Sequence, residues 1–111
     1  MKSVTLLLGL AILLASIGGG AAANKTGDEL LNECKGAGPY AQTDIFLCVG
    51  YIDAVFDALA LQKRVCWRGG AAITVGELVD VTRNYLNAHP EMRNFRAIYL
   101  VQNALEAHFH C

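Results

Sequence analysis

A chain of 111 residues holds one small domain and hardly two. Its formal net charge of -1 at neutral pH gives no basic footprint for nucleic acid. Hydrophobic residues make up 54% of the chain, a share inflated by one aliphatic and glycine-rich stretch at the start.

That stretch comes first. Lys2, the apolar run from Val4 to Ile17, then Gly18-Gly19-Gly20 and Ala21-Ala22-Ala23 follow the three-part layout of a secretory signal. The run is short of the roughly 20 residues that a spanning helix needs. No cysteine at its end offers a lipid attachment. Residues 1–23 are therefore expected to be cleaved, leaving residues 24–111 as one helical domain with no membrane-bound part. Loss of Lys2 takes the net charge to about -2. All four cysteines, Cys34, Cys48, Cys66 and Cys111, lie in that remainder. An even count in so small a secreted domain reads as two disulfides, each typically worth about 2–4 kcal/mol.

The period is helical from there on. Gly27 to Cys34 reads as a short first helix, stopped by Gly36, Gly38 and Pro39. Thr43 or Asp44 can cap a second, running to about Gln62, whose apolar positions go most of the way round and predict a buried central helix. The third opens at Thr74, with Glu77 at capping-box spacing. Val75, Leu78, Val79, Thr82, Tyr85 and Leu86 form its apolar face, opposite Glu77, Asp80, Arg83, Asn84 and Asn87. His89-Pro90 ends it, because the residue before proline is pushed out of the helical region. The fourth is predicted from about Asn94 to Phe109, burying Ala97, Ile98, Val101, Leu105 and Phe109. The fold class is thus all-α: a small four-helix bundle stapled by two disulfides.

Four cysteines allow three pairings. The helix between Cys48 and Cys66 spans on the order of 20 Å, and the four residues after Gln62 do not comfortably return that far. If the last three helices run up, down and up, the ends of the second and fourth lie together. The expected pairs are then Cys34–Cys48 and Cys66–Cys111.

Catalytic signatures are lacking. The histidines are His89, His108 and His110, and "HFHC" at the end resembles a zinc or copper cluster only in composition. A disulfide would take the Cys111 thiolate, and residues two apart share no helix face. There is no P-loop, dinucleotide fingerprint or nucleophile elbow, and Ser3 and Ser16 leave with the signal. No enzyme, cofactor or metal is expected. Asp53 and Asp57 share one face of the second helix with Gly50, and Arg64 lies further along that stripe if the helix continues. Such a stripe is either the solvated edge of the helix or an interface for a second subunit or another partner.

The segments "CVGYIDAVFDALAL" and "ITVGELVDVTRNYLNAHPEMRNFRAIYLVQNALEAHFHC", with Cys66 between them, resemble the Rap/Tai family of bacterial immunity proteins. The matching positions are Cys48, Gly50-Tyr51-Ile52, Asp57-Ala58, Thr74 with Gly76, Tyr85-Leu86, His89-Pro90-Glu91 and Cys111. Departures at Ala54, Arg68 and His110 bear on local loop shape. The resemblance implies a periplasmic protein of the type VI secretion system, often a homodimer. Such a protein binds a peptidoglycan amidase effector and blocks its Cys-His active site, protecting the producing cell.

The surface expected to meet the amidase is the connection Trp67-Arg68-Gly69-Gly70-Ala71-Ala72, with Glu77 and Asp80 on the polar face behind it. Glycines let a loop enter a narrow cleft, while tryptophan and arginine are enriched among interface hot spots. The His89 to Asn94 loop is the second candidate. Two rival functions fit a small disulfide-bonded helical protein: an acid-stress chaperone of the periplasm, and a family member with another partner, since a shared fold does not guarantee a shared ligand.

Overall fold

The computed structural model describes residues 24–67 and 72–111. The signal reading, and Arg68, Gly69, Gly70 and Ala71 of the expected docking loop, fall outside those residues. Four helices follow in chain order: α1 (Gly27–Lys35), α2 (Ala41–Leu61), α3 (Val75–Ala88) and α4 (Ala97–His108), with a 3-10 turn at Pro90–Met92 between the last two. Among the described residues there is no strand, and the all-α reading of the sequence holds.

Local chemistry accounts for most boundaries. The Thr26 hydroxyl accepts the Glu29 N–H at 3.2 Å and opens α1; the Thr74 hydroxyl does the same for the Glu77 N–H at 3.2 Å and opens α3. Gly36 closes α1 in the left-handed conformation at φ 59°, which glycine adopts without a Cβ penalty. At α2 the sequence misleads. The helix begins at Ala41, with Tyr40 as an N-cap that makes no side-chain bond, rather than at Thr43 or Asp44. Its far end closes in a Schellman motif: the Lys63 N–H donates to the Ala60 carbonyl at 3.0 Å and the Arg64 N–H to the Leu59 carbonyl at 2.9 Å. A lysine at φ 57° occupies the position that usually takes glycine.

The fourth helix starts three residues later than expected because the chain before it has another task. Residues 93–97 lie against the start of α1, where the Gly27 N–H donates to the Phe95 carbonyl at 2.9 Å and the Asp28 N–H to the Arg93 carbonyl at 2.8 Å. In return the Ala97 N–H donates to the Lys25 carbonyl at 2.7 Å. Backbone donors that two helix starts leave unpaired are thus satisfied by one another's approach segments.

The core gathers Leu30 and Leu31 of α1, Ile52, Val55, Phe56 and Leu59 of α2, Leu78 and Leu86 of α3, and Leu100, Val101 and Leu105 of α4, all below one tenth exposed. Thr82 is the buried polar side chain among them, and its hydroxyl is satisfied by the Leu78 carbonyl at 3.0 Å. Both disulfides pair as the helix geometry predicts. Cys34–Cys48 ties α1 to the first half of α2, with Cα atoms 5.0 Å apart, and Cys66–Cys111 ties the segment after α2 to the end of α4, at 4.9 Å.

Candidate partner-binding surface

One end of the bundle carries an open cleft of about 580 Å³. Two aromatic side chains, Trp67 and Phe109, line it, and a third packs behind them. Phe56 of α2 meets Phe109, just past α4, edge-on at 5.6 Å, and meets Trp67 at 5.4 Å. Phe56 and Phe109 are each 7% exposed, whereas Trp67 is 47% exposed, so its inner face is held by the core and its outer face remains open. The Cys66 N–H donates to the Phe109 carbonyl at 2.7 Å, fixing the backbone that leads into Trp67. Glu77, from the first turn of α3, lines the same cleft with Ile73, His108 and His110. Tertiary structure therefore brings together Trp67 and Glu77, both expected at a partner surface. Asp80 is exposed one turn further along α3 and does not line the cleft.

The second surface is a face of α2. Asp57 is exposed and Asp53 partly so, but what surrounds them is not a charged stripe. At helical spacing the open face reads Phe46, Leu47, Gly50, Ala54, Asp57, Ala58 and Leu61, with Phe46 at 67% and Leu61 at 86% exposed. Large apolar side chains at the ends flank small residues every fourth position between them. A Cβ built on Gly50 would meet nothing within 4 Å, so no packing within the chain requires glycine there. Arg64 does not extend this face. The left-handed turn at Lys63 redirects the chain, and the Arg64 guanidinium meets the Glu106 carboxylate of α4 at 2.6 Å. With the Gln102 amide turned to accept, the same guanidinium also reaches its oxygen at 2.6 and 2.8 Å. The apolar pattern of α2 suggested a helix buried most of the way round with one open stripe at Asp53 and Asp57; the open face is wider and takes in Phe46, Leu47, Ala54, Ala58 and Leu61. Gly50, Ala54 and Ala58 at four-residue spacing were the available signal.

Elsewhere the electrostatics are local. Lys25 pairs with Glu33 at 2.5 Å and lies 5.0 Å from the centre of the Tyr51 ring. Partial burial pushes the Tyr51 phenol above its ordinary value; nearby Arg96 opposes that shift and Glu33 adds to it. On the His89 to Asn94 loop, a backbone hydrogen bond and the neighbouring His89 hold the exposed Glu91 carboxyl below its usual range. Among the described residues no three His, Cys, Asp or Glu side chains gather as a metal site would need.

A family model for Rap1a immunity proteins matches residues 26–111. The chain belongs to the Rap1a immunity protein family. This agrees with the resemblance carried by the residues from Cys48 to Cys111. Comparison with curated proteins and with solved structures gives no match. The family is one of immunity proteins rather than catalysts, and membership points to the binding of a cognate effector. Two disulfides fit an oxidising compartment, and among the described residues no helix is long and apolar enough to cross a membrane.

Proposed function

We propose that this chain is the periplasmic immunity partner of a peptidoglycan amidase delivered by a type VI secretion system. In this reading it docks on the amidase with the cleft end of the bundle. The observation that supports the docking surface is the half-open Trp67, backed by Phe56 and next to the Arg68-Gly69-Gly70 connection. A large aromatic ring fixed from below and open above loses little freedom on binding, as interface anchors require. Glu77 gives that surface a carboxylate, and Asp80 extends the acidic edge along α3. Two disulfides favour a bundle that stays folded as it binds, which supports a rigid blocker over an acid-triggered chaperone that must expose apolar surface.

In the same proposal the protein is a homodimer through the open face of α2. That face is self-complementary in size, with Gly50, Ala54 and Ala58 admitting the larger side chains of a second copy. An antiparallel arrangement keeps the two Asp57 carboxylates apart, whereas a parallel one would set them side by side. Ala54→Arg is expected to give a monomer in sedimentation with an unchanged circular dichroism spectrum.

The experiment is co-expression in the periplasm with the amidase encoded by the same genome, followed by capture of the complex. Rescue from lysis with a stable complex is expected. Arg68→Glu should weaken that complex while leaving helicity intact; unchanged affinity would remove the connection from the interface. Lysis despite good expression of both proteins would reject the pairing.

A further inference from the structure

We infer that the Cys66–Cys111 disulfide is a thiol-exchange site, opened by an external dithiol while Cys34–Cys48 stays closed. The two bonds differ in access. Cys34 and Cys48 are 8% and 1% exposed, inside the core between α1 and α2. Cys66 and Cys111 are both exposed, and they line the open cleft. Exchange requires a thiolate to reach a disulfide sulfur, so accessibility separates bonds that are otherwise alike.

The surroundings suit the reaction. His108 and His110 line the same cleft, so the departing sulfur forms in polar surroundings open to water. The fold also tolerates an open bond. The Cys66 N–H remains tied to the Phe109 carbonyl at 2.7 Å, and the buried Phe109 ring remains packed on Phe56. The two chain segments are therefore held together without the sulfur bridge, and it can re-form.

The reaction balances without a further component. One thiolate of the dithiol bonds to one sulfur as the Cys66–Cys111 bond breaks, and the other sulfur leaves and takes a proton. The second thiol then displaces the protein sulfur. The protein disulfide gains two electrons and two protons, and the dithiol becomes a disulfide. The chemical class of partner is thus a dithiol oxidoreductase, for which dithiothreitol is the probe.

The oxidised protein is exposed to graded dithiothreitol, trapped with iodoacetamide and mapped by peptide mass. Cys66 and Cys111 are expected to be alkylated at least tenfold faster than Cys34 and Cys48, with far-ultraviolet circular dichroism unchanged. Trp67, the one tryptophan of the chain, should shift its fluorescence in step. Equal labelling of both pairs, or labelling only once helicity is lost, overturns the inference. The double variant Cys66→Ser/Cys111→Ser should fold with native helicity and an intact Cys34–Cys48 bond. If it unfolds, the bond is a structural staple and the inference fails. None of these readouts uses an effector, so this inference and the immunity reading stand or fall separately.

Discussion

Gly27 sits where α1 begins beneath α4, and replacing it with alanine tests how tightly those helices meet. A Cβ there would overlap the Leu100 Cδ1 methyl and lie 3.1 Å from the Arg93 carbonyl oxygen and 3.2 Å from its Cα. The methyl can swing aside, but the Arg93 backbone is held in place by the Asp28 N–H bond at 2.8 Å. Overpacking of this kind costs about 1–3 kcal/mol, offset in a helix interior by up to about 1 kcal/mol from the better helix propensity of alanine. Gly27 is the first residue of α1, where most of that interior offset is absent, so Gly27→Ala should destabilise by about 1–3 kcal/mol, a fall in Tm of roughly 4–24 °C for a domain of this size. Leu100→Ala alone should cost about 2–5 kcal/mol, because Leu100 is 1% exposed and leaves a cavity. In the double variant the methyl added by Gly27→Ala enters part of that cavity, so the pair should cost about 1 kcal/mol less than the sum. Urea unfolding followed by circular dichroism measures all three. A Gly27→Ala protein as stable as the parent, or strictly additive costs, would refute the close approach.

Two other substitutions probe single features of α2. Lys63 occupies the left-handed region at φ 57°, which costs an L-residue about 1–2 kcal/mol; Lys63→Gly should stabilise the fold by about 0.5–1 kcal/mol after glycine's entropy in the unfolded chain. A lower denaturation midpoint would show that the lysine side chain contributes more than the backbone strain removes. The phenol of Tyr51 titrates above its ordinary value of about 10 because burial disfavours the phenolate. Its contribution is fully present below that ordinary value and is lost as pH rises through the higher folded value. Tyr51→Phe should flatten the alkaline fall in Tm, and an unchanged slope would assign the fall to other groups.

Helix existence was legible because it rests on local rules. Thr26 and Thr74 cap, Gly36 terminates, and the period of apolar residues from Val75 to Leu86 needs no information from elsewhere. The cysteine pairing was legible for a similar reason: the length of α2 and the reach of the four residues after it discriminate among three choices. Boundaries at α2 and α4 were misread for want of any local signal. Tyr40 makes no cap bond that a pattern could reveal, and the start of α4 is set by Lys25, much earlier in the chain. The candidate surface was legible only as residue types. Trp67 and Glu77 could be singled out as exposed anchors, but not placed on one cleft with His108 and His110.

What the sequence by itself determined is the periodic and covalent frame: four amphipathic or apolar helices, their main stop signals and two disulfides, together with membership of an immunity protein family whose model spans Thr26 to Cys111. What tertiary structure decided is coverage. Periodicity states which side chains are apolar, whereas burial depends on whether another element arrives to cover them. Hence α2, apolar nearly all round, buries Ile52, Phe56 and Leu59 yet leaves Phe46, Ala54 and Leu61 open. The same reason separates the two disulfides, chemically identical in sequence: α1 packs over Cys34–Cys48, while the described segments that reach Cys66–Cys111 form the walls of a cleft.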